Sequence, residues 1–187
     1  MGQYYYVVNI DKRQFLNPHK FEDGLKLLEF GLSAGGTMTA LAILLADGNG
    51  RGGGDLIGAG ALPVVGSWAG DRIVIAGDYA DGGNFVPDDQ KAREGETQPN
   101  LYTLCCERES GFVDVSGAAW EAMLRDDQIR EETLDRLSDG CMNLVLSFLR
   151  EPKGAAVGGH YDDPKLRLVF RGVFGDEVVD AALGKRR

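Results

Sequence analysis

Glycine placement constrains the fold of this chain more than any other feature. Five of the eight residues in the segment GNGRGGGD (48–55) are glycine, and glycines cluster again at 154–159. Glycine loses more conformational entropy on folding than any other residue, so such segments cannot form helices or strands at an acceptable cost. The chain has 27 glycines in 187 residues, roughly twice the usual share of about 7%. Its regular elements must therefore be short and joined by loops and tight turns.

Runs of apolar, aromatic and β-branched residues between these loops predict the strands. The runs YYYVVNI (4–10) and RQFL (13–16) are joined by Asp11 and Lys12, which predicts a hairpin at the start of the chain. A second hairpin is predicted from two runs that flank Arg108-Glu109-Ser110. The further predicted strands, including the two arms of that second hairpin, are residues 62–65, 72–76, 101–106, 111–115 and 165–171.

The helices are predicted from longer apolar runs. Residues 37–46 (TMTALAILLA) are apolar on every side, which predicts a helix buried in the core, with Thr37 as its candidate N-cap. Residues 25–30 (LKLLEF) fit a helix or a strand equally well. The remaining predicted helices are 116–137, capped by Ser116 and broken near Asp126-Asp127, then 141–149 and 176–183.

These elements are interspersed without a β-α-β rhythm or an internal repeat, which favours the α+β class. We predict one globular domain over 1–187, with a mainly antiparallel sheet, a buried apolar helix and a C-terminal helical section. Residues 87–99 (PDDQKAREGETQP) are polar and bracketed by prolines, which predicts an exposed loop. Residues 184–187 are interpreted as a solvated basic tail.

Composition limits the partners that this chain can have. The formal net charge is −9, which opposes binding to a phosphate backbone, so no nucleic-acid partner is expected. The three cysteines lack C-x-x-C spacing, which indicates reduced, packed thiols rather than a zinc site or a disulfide framework. With no signal peptide and no apolar run of about 20 residues, the expected location is the cytoplasm, without a membrane partner.

The segment IAGDYADGG (75–83) resembles the GDYVDRG signature of the metallophosphoesterases, in which a strand ends in a metal-bridging aspartate. The resemblance implies that Asp78 bridges two metal ions and that Gly77 permits a close turn. The family's upstream Asp-x-His and downstream Gly-Asn-His-Asp/Glu motifs are absent, and the chain has only two histidines, His19 and His160. The alternative reading is that Asp78 and Asp81 hold a turn through hydrogen bonds to backbone N–H groups. As a hydrolase, the protein would use Asp71, Asp78 and Asp81 with a histidine, and Asp78 and His160 are the candidate metal ligands.

The segment LLEFGLSAGG (27–36) resembles motif I of the S-adenosylmethionine-dependent methyltransferases. Glu29, Gly31 and Gly35 fit that motif, whereas Ser33 replaces its usual middle glycine. The resemblance implies an S-adenosylmethionine-binding protein with a strand before the glycines and a helix after them. The alternative is a glycine-rich helix entry without a ligand.

Arg51 lies among the glycines of 48–55, where exposed N–H groups could surround a phosphate or a carboxylate. The segment lacks the Lys-Ser/Thr pair of a P-loop, so nucleotide hydrolysis by that route is not supported. No particular cofactor is identified by these residues.

The N-terminal half, from MGQYYYVVNIDKRQFLNPHKFEDGLKLLEFG through GNGRGGGD to SWAGDRIVIAGDYAD, resembles an uncharacterised family of small bacterial and phage-associated proteins. No activity is attached to that family. The leading hypothesis is a domain that binds a small ligand or a protein partner through glycine-rich loops near Arg51, Asp71 and Asp78, because function concentrates in loops at the ends of elements. A purely structural or inhibitory interaction protein is the third class.

Overall fold

The computed structural model describes residues 2–49, 56 and 62–126. Several predictions lie outside these residues: the site residues Arg51 and His160, the strand 165–171, the helices 141–149 and 176–183, and the tail 184–187. The architecture of the described residues is α+β, as predicted.

A four-stranded sheet forms the centre of the fold. Its strands are β1 (Tyr5–Asn9), β2 (Gln14–Leu16), β3 (Ile73–Gly77) and β4 (Val113–Asp114), in the spatial order β3-β1-β2-β4. β1 pairs antiparallel with both β2 and β3, whereas β4 runs parallel to β2. The sheet is therefore mixed, with mainly antiparallel pairing.

Both faces of β1 are buried, which explains its unbroken apolar sequence. Val7 belongs to a core cluster on one face, and Tyr6 and Val8 belong to a second cluster on the other face. The first cluster contains Trp68 and Trp120, so both tryptophans are core residues. The predicted hairpin of β1 and β2 is confirmed, with Val8 opposite Phe15.

The described residues form four α-helices: α1 (Leu27–Gly31), α2 (Thr37–Leu45), α3 (Leu101–Cys106) and α4 (Ser116–Arg125). Two short 3₁₀ helices span Pro18–Phe21 and Asp88–Gln90. Within the described ranges, no helix is long and apolar enough to cross a membrane.

The predicted apolar helix in the core is confirmed as α2, although only one of its faces is buried. Ala40, Ile43 and Leu44 are buried, whereas Ala42 and Leu45 are exposed, so the helix buries one face against the core. Thr37 is also not the N-cap, because Gly36 occupies that position and Thr37 is the first helical residue.

Residues 62–65 do not form the predicted strand. They begin a series of turns in which Val65 N–H donates to Leu62 C=O (3.1 Å) and Ser67 N–H donates to Val64 C=O (3.1 Å). Gly66 has a left-handed backbone (φ +68°) at the next position, and a Cβ there would lie 2.8 Å from the Ala46 carbonyl oxygen. The turns thereby lead to Trp68, which is fully buried.

The predicted second hairpin is also wrong, since residues 101–106 form helix α3. Asn100 starts that helix, because its side chain accepts a hydrogen bond from Thr103 N–H (2.9 Å) while the Thr103 hydroxyl accepts one from Asn100 N–H (3.1 Å). This reciprocal pairing satisfies two N–H groups that a helix start otherwise leaves free. β4 consequently pairs with β2 instead of with residues 101–106.

Ser116 is the first residue of α4 and does not cap it. Its hydroxyl accepts a hydrogen bond from Asn17 N–H (2.9 Å), while its own N–H donates to Asp114 Oδ1 (2.9 Å). α4 ends at Arg125, next to the position of the predicted break, and the predicted continuation to residue 137 lies outside the described residues.

Candidate functional site

A cavity of about 510 Å³ lies between the β1–β2 turn and the loop that follows β3. Its volume is within the range of about 300–1,000 Å³ that is usual for small-molecule sites. The segment RIVIAGDYADGG contributes both its first residue, Arg72, and its last residue, Gly83, to the lining. The complete lining is Ile10, Asp11, Arg13, Arg72, Gly83, Phe85, Val86, Pro87, Asp88 and Lys91.

The β1–β2 turn supplies one wall of this cavity. Asp11 accepts hydrogen bonds from Arg72 through both carboxylate oxygens: Oδ2 from the backbone N–H (2.8 Å), and Oδ1 from Nε (2.8 Å) and Nη2 (2.5 Å). Arg13 has a left-handed backbone (φ 51°), and its carbonyl accepts a hydrogen bond from Val113 N–H (2.8 Å). The turn is thus held to β3 on one side and to β4 on the other.

The loop after β3 supplies the opposite wall and is closed at its base. Asn100 Nδ2 donates to the carbonyls of Asp78 and Ala80 (3.1 Å each), and Gly83 N–H donates to Pro99 C=O (2.8 Å). A Cβ on Gly82 would lie only 2.2 Å from the Gln98 carbonyl oxygen. Only glycine fits where these two segments of the loop come so close together. The base of the loop is therefore held in a single conformation.

Phe85 is the most unusual residue of this loop. It combines a left-handed backbone (φ 60°) with a side chain that is 65% exposed. A bulky non-glycine residue rarely adopts this conformation, and such strain persists where neighbouring contacts fix the chain. Here Val86 supplies such a contact, since it is buried in the second core cluster and its N–H donates to Gly83 C=O (3.4 Å). The fold therefore presents an aromatic ring at the cavity instead of burying it.

Three cations face the cavity, and each is paired with an aspartate. Arg72 pairs with Asp11, Lys91 Nζ donates to Asp88 Oδ1 (2.7 Å), and Arg13 Nη2 donates to Asp89 Oδ1 (2.6 Å). The hydrogen bonds from Arg72 lower the pKa of Asp11, those from Lys91 lower that of Asp88, and those from Arg13 lower that of Asp89. A guanidinium carries five N–H donors, so both arginines keep donors that their aspartates do not use.

Asp71 lies beside this cavity without lining it. Its Oδ2 accepts hydrogen bonds from Lys12 Nζ and from Asn9 Nδ2 (2.8 Å), and these bonds lower its pKa. Asn9 is completely buried, and its Oδ1 in turn accepts from Lys12 N–H (2.9 Å). Asp71 therefore fixes the β1–β2 turn.

Asp78 lies at the other end of β3. Seven residues of extended chain separate it from Asp71, or about 23 Å at roughly 3.3 Å per residue. Asp78 N–H donates to Tyr4 C=O (3.0 Å), and Asp78 Oδ1 accepts from Tyr4 N–H (3.0 Å). The predicted bond from this carboxylate to a backbone N–H is present, but it joins β3 to β1 instead of closing a local turn. Asp81 is exposed, and within the described residues its carboxylate has no hydrogen-bond partner.

Gly77 does not have the turn-forming role that the phosphoesterase resemblance implies. It is the last residue of β3, and a Cβ there would lie 2.1 Å from Gln3 Nε2 and 3.0 Å from Tyr5 Cε1. Its small size accommodates side chains from the N-terminal segment. Among the residues that the structure describes, no group of three or more His, Cys, Asp or Glu side chains could hold a metal ion.

The glycines of LLEFGLSAGG lie in a different part of the molecule. The residues before them form helix α1 where methyltransferase motif I requires a strand, and Glu29 accepts a hydrogen bond from Lys26 N–H (3.1 Å). Gly31 ends α1, while Gly35 has φ +69° and donates to Thr39 Oγ1 (2.8 Å).

The start of α2 is occupied by a carboxylate of this same chain. Asp23 Oδ2 accepts hydrogen bonds from Ser33 Oγ (2.8 Å), Thr37 N–H (2.7 Å) and Thr37 Oγ1 (2.7 Å). A negative charge at this position is favourable because the first N–H groups of a helix are unpaired and partly positive. Asp23 thus occupies the helix N-terminus at which methyltransferase motif I would bind its ligand.

The two described cysteines are packed thiols, as expected. Cys105 is buried and Cys106 is half-buried, and burial raises the pKa of both thiols. Burial also raises the pKa of Tyr102, to about 12. Its ring stacks on Tyr6 at a centroid distance of 4.6 Å within the second core cluster.

Of the predicted site residues that the structure describes, none lines the cavity, and only Asp71 lies next to a lining residue. Arg13, Arg72, Phe85 and Lys91 were not predicted, because their significance depends on which loops meet in space. One sequence signal was present: the pair Gly82-Gly83 marks a close backbone approach two residues before an aromatic residue.

Comparisons with known protein families, with curated proteins and with solved structures find no match for this chain. The resemblance to small bacterial and phage-associated proteins therefore stays a prediction.

Proposed function

We propose that this protein binds a small anion that carries a flat apolar group, in the cavity between the β1–β2 turn and the loop after β3. One observation carries the proposal: Arg13, Arg72 and Lys91 converge on a cavity that also presents the exposed ring of Phe85. This is a narrower form of the hypothesis that the chain binds a small ligand through its loops.

The cations of the lining support an anionic ligand. Arg13, Arg72 and Lys91 are matched in number by the aspartates with which they pair, Asp89, Asp11 and Asp88, so the site is locally neutral. This neutrality contrasts with the formal charge of −9 for the whole chain. A small anion is therefore repelled less at this site than by the acidic surface as a whole. Arginines also suit phosphate and carboxylate groups, because two parallel N–H donors match two oxygens.

The position of Phe85 supports a flat apolar group on the same ligand. An aromatic ring gains about 0.5–1.5 kcal/mol from a stacked partner beyond the effect of buried area. The loop is already closed by Asn100 and Gly83, so the ring needs no large ordering of the chain on binding. Preorganisation of this kind favours affinity because less conformational entropy is lost.

Phenyl phosphate is a suitable probe, and titration calorimetry gives its dissociation constant. We expect it to bind the wild-type protein and to raise the melting temperature, since a ligand that binds only the folded state stabilises it. Arg72→Ala removes a charge-assisted contact and should weaken binding at least about tenfold. Phe85→Gly removes the stacking surface and should weaken binding about tenfold. The free energy of unfolding of Phe85→Gly should stay within about 1 kcal/mol of the wild-type value. Relief of the left-handed backbone strain offsets the greater conformational entropy of glycine in the unfolded chain.

Arg125→Ala is the matched control. Arg125 is an exposed arginine paired with Glu121 on α4, and it does not line the cavity. Its replacement should leave the affinity for phenyl phosphate unchanged. Equal affinity of wild type and Arg72→Ala would contradict the proposed site, and equal binding of inorganic phosphate and phenyl phosphate would contradict the role of Phe85.

A further inference from the structure

The ion pairs at the cavity leave its wall without net charge. Each cation has one aspartate as its partner, and the pairs are Arg72–Asp11, Lys91–Asp88 and Arg13–Asp89. A ligand with one negative charge therefore adds a single uncompensated charge to the site, whereas a dianion adds two. The rest of the chain is acidic, with a formal net charge of −9, so nothing in its overall charge compensates the second one.

Two of these aspartates are part of the lining itself. Asp11 is fixed in the wall, because its Oδ2 accepts a hydrogen bond from Arg72 N–H (2.8 Å) and its Oδ1 accepts one from Arg72 Nε (2.8 Å). Asp88 accepts one from Lys91 Nζ (2.7 Å), and its side chain is 95% exposed. The repulsion between a bound anion and these two carboxylates doubles when the charge of the anion doubles. The attraction of the cations doubles as well, but their aspartates offset it, so the acidic remainder of the chain favours the singly charged ligand.

The donors that Arg72 keeps suit two oxygens in one plane. Its Nε and Nη2 both donate to Asp11 Oδ1 (2.8 and 2.5 Å), so the edge between Nη1 and Nη2 is the part of the guanidinium fork that this aspartate does not use. Two parallel N–H donors match the two oxygens of a carboxylate. The third oxygen of a phosphate dianion would need further donors, and the other cations of the wall are already paired with Asp88 and Asp89.

We propose that the anion bound in this cavity is the carboxylate of an aromatic acid, with a single negative charge, rather than a phosphate dianion. This inference rests on the proposed function and names the class of its ligand. The carboxylate pairs with the remaining donors of Arg72, and the ring of the acid stacks on Phe85. Apolar residues of the lining, Ile10 and Pro87 among them, extend the surface available to that ring.

Titration calorimetry with benzoate and phenyl phosphate at two pH values tests the charge of the ligand. The second pKa of a phosphate monoester is about 6, so phenyl phosphate carries mainly one charge at about pH 5.5 and two at about pH 8. Benzoate carries one charge at both, since carboxyl groups titrate near about pH 4. The affinity for phenyl phosphate should fall at least about fivefold from the lower to the higher pH. The affinity for benzoate should stay level, so that benzoate is the tighter ligand at about pH 8.

The charged groups at the cavity do not titrate in this range. Side chains of Asp ordinarily titrate near about pH 4, and those of Lys and Arg above about pH 10. Hydrogen bonds from their partners lower the pKa of Asp11, Asp71, Asp88 and Asp89 further. The lining contains no histidine. The charged groups are Asp11, Arg13, Arg72, Asp88 and Lys91 in the lining, with Lys12, Asp71 and Asp89 beside it. A change in affinity thus reports the proton of the ligand.

An aspartate variant tests the role of the wall. Asp88→Asn removes a carboxylate from the lining and deprives Lys91 of that partner, so the wall gains one positive charge. At about pH 8 the affinity for phenyl phosphate should rise at least about threefold more than the affinity for benzoate. Asp81→Asn is the matched control, because it changes the charge of the chain equally at an exposed residue that does not line the cavity. It should leave the ratio of the two affinities unchanged.

The outcomes separate this inference from the proposed function. Phenyl phosphate that binds at about pH 8 as tightly as benzoate, or more tightly, would overturn the carboxylate and leave the anion site in place. Equal shifts of the affinity ratio in Asp88→Asn and Asp81→Asn would overturn the role of the wall, since the total charge would then set the preference. If neither compound binds at either pH, the proposed function fails and this inference fails with it.

Discussion

The two ends of β3 carry similar residues but make different contacts. At one end Asp71 and Arg72 contact side chains of the β1–β2 turn, and Arg72 also faces the cavity. At the other end Gly77 and Asp78 contact main-chain groups and packed side chains, and neither lines the cavity. The end that resembles a catalytic motif thus serves mainly to hold the fold.

This difference shows why a short motif is weak evidence for a site. A Gly-Asp pair at the end of a strand also suits a place where neighbouring side chains need room and a backbone N–H needs an acceptor, as at Gly77 and Asp78, with or without a metal ion. The cavity forms where Arg72, the β1–β2 turn and the loop after β3, which are distant in sequence, come together. The following predictions test whether the Gly77–Asp78 end of β3 mainly stabilises the fold and whether the Asp71–Arg72 end contributes to the binding site.

Gly82→Ala should give the largest effect, at the structural end. The new Cβ would meet the Gln98 carbonyl oxygen at 2.2 Å, and a backbone atom cannot move aside as a flexible side chain can. We expect a loss of about 3 kcal/mol in the free energy of unfolding, the upper part of the range for overpacked sites. Urea unfolding measures this loss.

Gly70→Ala is the control for Gly82→Ala at the other end of β3. Gly70 has φ +83°, and a Cβ there would meet no atom within 4 Å. Gly70→Ala should therefore lower the free energy of unfolding only through the strain of the left-handed backbone, by about 1 kcal/mol. Equal losses for the two variants would mean that the loop base adapts to a side chain, against the single arrangement inferred here.

The next largest losses of stability are expected when either of two asparagines is replaced, because each forms hydrogen bonds that hold one end of β3 in place. Asn9→Ala removes a buried amide that bonds Asp71 and Lys12 N–H, leaving both part-buried groups without this partner, and should cost about 2 kcal/mol. Asn100→Ala removes the cap of α3 and two bonds to the loop, partly exposed to water, and should cost about 1 kcal/mol. Urea unfolding of both variants measures the two losses in the free energy of unfolding and shows which is larger.

Binding separates the two asparagine variants further. Asn100→Ala loosens the loop that carries Phe85, so its affinity for phenyl phosphate should fall more than its stability alone suggests. An Asn100→Ala variant that is more destabilised than Asn9→Ala would contradict the predicted order, which rests on the complete burial of Asn9.

The sequence predicted the elements whose signal is local. β1 and β3 are rich in β-branched residues, β2 is a short run with two apolar residues, and α2 begins after a glycine pair, so their positions were correct to within one or two residues. Helix α3 was missed although its start was visible, because Asn100 and Thr103 stand at the spacing of a capping pair. There the apolar run LYTLCC was interpreted as a strand, and the capping signal should have taken precedence.

The cavity could not be predicted in the same way. Arg13 and Asp89 are far apart in the chain, and their ion pair forms where the β1–β2 turn and the loop after β3 come together. The left-handed backbone of Phe85 depends on Val86 entering the core and on Gly83 bonding Pro99. Contacts of this type follow from tertiary structure, whereas a motif search considers only neighbouring residues.

The smallest effect expected concerns pH and the charged end of β3. Hydrogen bonds from Arg72, Lys12, Lys91 and Arg13 lower the pKa of Asp11, Asp71, Asp88 and Asp89 respectively. A carboxyl whose pKa is lower in the folded state binds fewer protons there than when unfolded, so it contributes stability above the unfolded value of about 3.9. That contribution is lost as the pH falls through the folded pKa. The urea midpoint should therefore be level above about pH 5 and decline below about pH 4.

Both Asp11→Asn and Arg72→Gln should make the decline shallower, since each removes the Asp11–Arg72 contribution. A decline that is equally steep in wild type and both variants would show that these exposed pairs do not hold the cavity wall.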